Sequence, residues 1–212
     1  VQQWSVVVPA KRLVAAKTRL APLTAALPVG HGDLVLALLS DTVAAALRSP
    51  VVGLVLVVTD EPRAAAVVTA LGAQAVGDEP DSGLNAALGH GAREVRRRVG
   101  GPVAALSSDL PALRPTELTA ALTAAAAVPR AFVADAEGSG TTLLAARDGA
   151  LDPSFGPGSA TAHAAGGAVP LAGEWPGLRQ DVDTPADLHA AAWLGVGDRT
   201  AGFLEATSWP PG

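Results

Sequence analysis

The chain contains no cysteine. That excludes a disulfide framework, cysteine zinc ligation and a thiol nucleophile. It has no run of 18 apolar residues, so no membrane-spanning helix is expected. The apolar start, residues 4–9, is too short for a secretory h-region and has no charged segment before it. Charge is sparse, at 17% of residues against 49% apolar, which excludes a disordered chain. Positive charge is in deficit: 15 Lys+Arg against 20 Asp+Glu gives −5. An acidic chain of pI about 5.3 is a poor general binder of nucleic acid, because phosphate contacts need clustered cations. Lysine is the scarcest cation, with 2 Lys beside 13 Arg and 46 Ala, a bias that looks like a GC-rich genome. Both lysines, Lys11 and Lys17, stand in one short segment. In a chain that otherwise uses Arg, this placement suggests that Lys is chemically wanted there.

What is present points to one α/β domain. A length of 212 residues divided by about 150 gives one domain. Residues 5–8 read as a short β-branched strand, 32–47 as an amphipathic helix and 51–59 as a buried strand. A helix opens at Glu61-Pro62 and closes at Gly72. A brief strand at 74–76 follows, then a helix over 84–99, a strand over 102–106 and a helix over 115–127. This alternation means crossover units and a mostly parallel sheet with helices on both faces. Beyond it, 131–135 and 141–146 read as strands around a Gly-rich turn, 160–165 as a helical turn, and 168–171 and 178–182 as strands. Thr184-Pro185-Ala186-Asp187 carries the signature of a helix start. Ligands of such sheets bind beyond the carboxyl ends of the strands, so the segments that follow strands hold the candidates.

Four constellations stand there. Lys11, Arg12, Lys17 and Arg19 place four cations after the first strand, a local charge that suits a polyphosphate. They lack a Gly-rich phosphate loop, so contacts would come from side chains. Asp109, in Ser107-Ser108-Asp109-Leu110-Pro111, follows the fourth strand and reads equally as a magnesium ligand or a helix cap. Asp181 and Asp183 are two apart on an extended segment, so both carboxylates face one side and call for a cation or for protonation of one of them, unless Asp183 only serves the helix start. Gly138-Ser139-Gly140-Thr141-Thr142 and Phe155-Gly156-Pro157-Gly158-Ser159 combine close backbone approach with hydroxyl donors, although turns alone would use the same residues. Of the histidines, His163 lies near the second glycine loop and is a candidate substrate contact. His31 and His189 read as helix surface.

Taken together, these segments resemble the guanylyltransferases of deazaflavin coenzyme F-420 biosynthesis. Residues 9–20 look like that family's lysine-bearing opening, and Leu84-Asn85-Ala86-Ala87 like its nucleotide-side motif. Asp109-Leu110-Pro111 and Asp181-Val182-Asp183-Thr184-Pro185 resemble its acidic motifs, and Asp135-Ala136-Glu137-Gly138-Ser139-Gly140-Thr141-Thr142 and Phe155-Gly156-Pro157-Gly158-Ser159 its substrate loops. Ser139 stands where Thr is more usual. The likeness runs from about residue 4 to about 203.

The resemblance implies a single Rossmann-like nucleotidyltransferase domain over 1–212. Its nucleotide-binding half would span about 4–130, and its acid-substrate and metal half about 131–205. It implies transfer of GMP from GTP to phosphoenolpyruvate, with magnesium as cofactor and a cytoplasmic location; 2-phospho-L-lactate, the acid of archaeal relatives, is the alternative acceptor. Lys11, Lys17 and Asp109 would be catalytic. The lysines and Asn85 would bind the nucleotide, Thr141, Gly156 and Ser159 the acid, and Asp109, Asp181 and Asp183 the metal. Partners would be GTP and the phosphorylated acid, without nucleic acid or membrane, and self-assembly is left open. Competing readings are a sugar-activating or molybdenum-cofactor relative, whose Gly-rich opening is missing, a non-catalytic nucleotide-binding regulator, and a purely structural α/β domain.

Overall fold

The computed structural model describes residues 3–10, 20, 30–79 and 81–207; Lys11 and Lys17 lie outside them. Every residue of β1 (Trp4–Pro9) is buried, as a strand covered on both faces requires. Val6 and Val8 enter one apolar cluster and Val7 another, the alternation of a strand between two helix layers. The same split recurs in β2 (Val52–Val58) and β4 (Val103–Leu106). Val55, Val57, Ala104 and Leu106 face one side; Leu56, Val58, Val103 and Ala105 face the other. With β3 (Gln74–Val76), β5 (Arg130–Ala134), β6 (Thr141–Ala146) and β7 (Val169–Pro170), the sheet runs in the order β3-β2-β1-β4-β6-β5-β7. All pairings are parallel except those of β6, which is antiparallel to both β4 and β5.

Helices α1 (His31–Leu47), α2 (Pro62–Ala70) and α4 (Pro115–Ala125) cover the first face, and α3 (Leu84–Arg98) and α5 (Ser159–Ala165) the second. Mid-helix Gly91 of α3 has a reason: a Cβ there would stand 2.5 Å from Val7 and 2.7 Å from Val58. The close approach of helix to sheet outweighs the roughly 1 kcal/mol that glycine costs in a helix. No helix among the described residues is long and apolar enough to cross a membrane.

Two elements differ from the sequence reading. Residues 178–182 form no strand. Leu178 belongs to a short helix, α6 (Pro176–Arg179). Glu117 explains this, because its carboxylate accepts the N–H groups of Gly177 (3.2 Å) and Leu178 (3.0 Å) and so fixes a helical turn. After α7 (Pro185–Leu194), which starts at the Thr184 cap as expected, the chain adds α8 (Asp198–Ala206). Leu188, Ala191 and Phe203 of this pair pack on Leu34 and Leu38 of α1 in a third apolar cluster. The cap of α8 is remote in sequence. Buried Asp41 of α1 accepts from Arg199 N (3.1 Å) and Thr200 N (2.8 Å).

Asp41→Ala would leave two helix-start donors without that acceptor. A loss of about 1–3 kcal/mol is expected, read as a lower urea midpoint with unchanged slope, and Asp41→Asn should recover part of it. An unchanged midpoint would mean that water serves α8 as well.

Candidate active site

Strand order reverses around β1, which lies between β2 and β4. In open α/β sheets the crevice beyond the carboxyl ends of the strands at such a point is where ligands bind. A cavity of about 640 Å³ opens there. Its walls include Pro9, the last residue of β1, with Ala10 after it, Ser107 to Asp109 after β4, and Asp135 after β5. Because β6 is reversed, its first residue, Thr141, reaches the same edge. The cavity therefore gathers Asp109, Asp181, Asp183, Thr141, Gly156 and Ser159, drawn from segments up to 74 residues apart in the chain. Ala10, next to Lys11, lines it as well.

The acidic wall is held by backbone. The Asp109 carbonyl accepts from Val182 N at 3.1 Å, and Leu110 N donates to the buried Thr42 hydroxyl at 2.9 Å. Val182 is fully buried, so the residues on either side of it, Asp181 and Asp183, are presented to the cavity together without a strand. Asp183 N is in turn held by Asp187, at 3.1 Å. Among the described residues no group of three His, Asp or Glu side chains converges as a metal site by itself. The described lining nevertheless carries five carboxylates, Asp109, Asp135, Glu137, Asp181 and Asp183, and no Lys, Arg or His. Such a wall repels a polyphosphate unless positive charge is added to it.

The opposite wall is built from the two glycine loops. The Asp135 carboxylate accepts from Ser139 N (2.9 Å) and Gly140 N (2.7 Å), and the Asp135 carbonyl accepts from the Arg179 guanidinium at 3.0 and 3.3 Å. Gly156 and Gly158 have φ of 134° and 72°, a region that side chains disfavour, and Ser159 is buried at the start of α5. Ser139 O accepts Ala160 N at 3.1 Å and joins the loops.

Asn85 does not line the cavity directly. Its Oδ1 accepts Phe155 N at 2.8 Å and its Nδ2 donates to Phe155 O at 3.0 Å, so both ends of the amide clasp the second loop. The backbone N–H can only donate, which fixes the amide orientation. His163 is buried between Thr141 Oγ1 (2.9 Å) and Ser154 N (2.9 Å). Burial, helped by the Arg130 charge, pushes its imidazole down to about 4, so it is neutral at pH 7. His189 meets the Pro185 carbonyl on its own helix. The structural part of Asp135 was not singled out from sequence, although an Asp ahead of a Gly-Ser-Gly turn is the usual closure of such a loop.

Residues 4–168 match the family model for CofC-like guanylyl transferases. The chain belongs to this family. A phosphoenolpyruvate guanylyltransferase from Geodermatophilus obscurus is 64% identical, covering 100% of this chain and 99% of its own. Another of that name, from Thermomonospora curvata, is 58% identical over 93% of this chain and 87% of its own. Among solved structures, a nucleotidyl transferase from Methanothermobacter aligns with TM-score 0.60 and 24% identity over 92% of this chain and 98% of that one. A Mycobacterium tuberculosis H37Rv protein solved with manganese aligns at 0.54 and 21% over 88% and 96%. These last two share the fold. This chain thus has the Rossmann-like nucleotidyltransferase fold expected from its sequence.

In this CofC-like chain the Asn85 clasp makes a direct test. Asn85→Asp sets a second acceptor against the Phe155 carbonyl and should cost about 1–3 kcal/mol. The loop around Phe155 should then be cleaved faster in limited proteolysis, whereas equal cleavage rates would show that the loop holds itself.

Proposed function

We propose that this chain transfers GMP from GTP to phosphoenolpyruvate, giving enolpyruvyl-diphospho-guanosine and pyrophosphate on the route to coenzyme F-420. The observation that carries the reading is one cavity in which the acidic segments of Asp109, Asp181 and Asp183 face the hydroxyls and glycines of the two loops. Its support from kinship is the name shared by relatives that match the chain almost end to end.

In this reaction a phosphate oxygen of the acid attacks the α-phosphorus of GTP in line. The new P–O bond forms as the bond from the α-phosphorus to the bridging oxygen breaks, and pyrophosphate leaves with the electron pair. No enzyme nucleophile is needed, and catalysis is positioning together with charge neutralisation. Lys11 and Lys17 neutralise the triphosphate and the leaving pyrophosphate. Thr141, the Gly156 backbone and Ser159 receive the phosphate and carboxylate of the acid, and Asn85 holds the loop that carries two of these groups. Asp109, Asp181 and Asp183 offer the hard oxygen donors that magnesium takes, one or two at a time beside phosphate and water. The carboxylate-rich lining fits a cation for that reason. When bound, magnesium would screen the phosphate charges.

Asp109→Asn and Asp183→Asn should each lower pyrophosphate release from GTP, magnesium and phosphoenolpyruvate by about 10²-fold or more, with melting temperature within a few degrees of the native protein. A folded variant that keeps near-native turnover removes that residue from the mechanism.

The acceptor is tested by competition. Equal phosphoenolpyruvate and 2-phospho-L-lactate, limiting enzyme, GTP and magnesium should give mainly the enolpyruvyl product, told apart by two hydrogens in mass. The two acids share both anionic groups and differ at carbon 2, planar in one and tetrahedral in the other. A shape difference of this size is worth about 1–3 kcal/mol, or roughly 10- to 200-fold. Predominance of the lactyl product would reassign the acceptor.

A further inference from the structure

The Thr141 hydroxyl is oriented from behind. β6 carries one extra residue against β5: Val133 pairs with Leu143, but Ala134 pairs with Thr141, so Thr142 is bulged. Without the bulge, alternation would put Thr141 and Leu144 on opposite faces. With it, Thr141 turns to the face of Leu144 and Phe132, which α5 covers. Re-aiming a side chain beside a site is what bulges do. On that face Thr141 Oγ1 meets His163 Nδ1 at 2.9 Å.

The other ring nitrogen decides the proton's place. His163 Nε2 lies 2.9 Å from the backbone N of Ser154, and a backbone amide can only donate. Nε2 is therefore the bare acceptor, and in the neutral ring the proton sits on Nδ1. Nδ1–H then donates to Thr141 Oγ1. A hydroxyl oxygen that accepts in this way keeps its own hydrogen for another partner, and Thr141 lines the cavity. In the opposite tautomer the threonine would donate to the ring and turn lone pairs toward an arriving anion. The ring is held in place by Phe155, edge-on at 5.2 Å, and Phe132 at 6.0 Å.

We propose that His163 is a positioning residue: by donating from Nδ1 to Thr141 it fixes that hydroxyl as a donor to the anionic acceptor acid, and by accepting from Ser154 it ties the Gly156–Ser159 loop to the same ring. Burial and the Arg130 charge, which keep the imidazole neutral, agree with this. The inference rests on the proposed reaction, since it needs an anion at Thr141.

Two measurements test it. Long-range ¹H–¹⁵N NMR of the native protein, with His163 assigned by its disappearance in His163→Leu, should show Nδ1 protonated and Nε2 bare at pH 7. An Nε2-protonated ring overturns the proposal. In kinetics, His163→Leu should raise KM for phosphoenolpyruvate roughly tenfold or more while KM for GTP stays within about twofold. His163→Asn, which keeps a donor near the Nδ1 position, should recover most of the loss. In a Thr141→Val background, His163→Leu should raise this KM by a smaller factor than in the native protein, because one of its two partners is already gone and only the Ser154 tie is left to lose. An unchanged KM for the acid, or an equal rise for both substrates, overturns the positioning role. A native protein that releases no pyrophosphate with phosphoenolpyruvate would instead refute the proposed reaction, a result distinguishable from either.

Discussion

A sheet of parallel strands presents only carboxyl ends at its ligand edge, and β6 breaks that rule. Running against β4 and β5, it brings a strand's amino end to the edge where β1 and β4 finish. The turn before it, closed by Asp135 on Ser139 and Gly140, is carried there as well, and the second glycine loop is joined to that turn through Ser139 and Ala160. The cavity is thereby two-sided. One wall comes from the parallel strands and carries Asp109; the other comes from the reversed strand and carries Thr141. A wholly parallel sheet of the same strands would have the first wall without the second.

The acidic residues divide by the same geometry. Asp41, Glu117 and Asp135 each accept two backbone N–H groups, and each fixes an irregular segment: the start of α8, the turn of α6 and the first glycine loop. For the buried N–H groups of Gly177, Leu178 and Thr200 the carboxylate replaces water that cannot reach them. Asp109, Asp181 and Asp183 are instead brought to the cavity by backbone bonds of their own segments, with Val182 as the buried anchor between the last two. Residue type alone does not separate the two groups. What marks the first group is that packed backbone turns at least two donors toward each carboxylate.

That distinction marks how far the sequence could be read. The strand and helix alternation of the first 127 residues was legible because each strand is an apolar run bounded by Gly, Pro or Asp, and each helix has its own stop. The paired acids at 181 and 183 were legible as a pair. The α6 turn was not, because the residue that makes it helical, Glu117, is 60 positions away from Gly177. α8 escaped for the same reason, since its cap lies in α1. Asn85 read as a nucleotide contact only through the resemblance of Leu84-Asn85-Ala86-Ala87 to a family motif; its partner, Phe155, is 70 residues on. Local pattern finds elements whose determinants are local. The clasps that shape this site are long-range single hydrogen-bonding side chains, and they leave no periodic trace.

The chemistry of the second wall bears on what selects the acid. In the proposed reaction the acid would be received by Thr141, Gly156 and Ser159, which are neutral; Asp135 and Glu137 line the same side, and the described lining has no Lys or Arg, so attraction there would rest on dipoles. A cation attracts any phosphate with little regard to direction. A hydroxyl or amide donor rewards an acceptor only along its own axis, and a bond lost to misalignment is costly in a partly buried site. Discrimination between two acids with the same charge and nearly the same atoms therefore depends on how rigidly those donors are aimed. In the proposed reaction that aim would be set by the Thr142 bulge, the Asn85 clasp and the buried His163 ring. On that proposal, the wall would be selective to the extent that these three hold still.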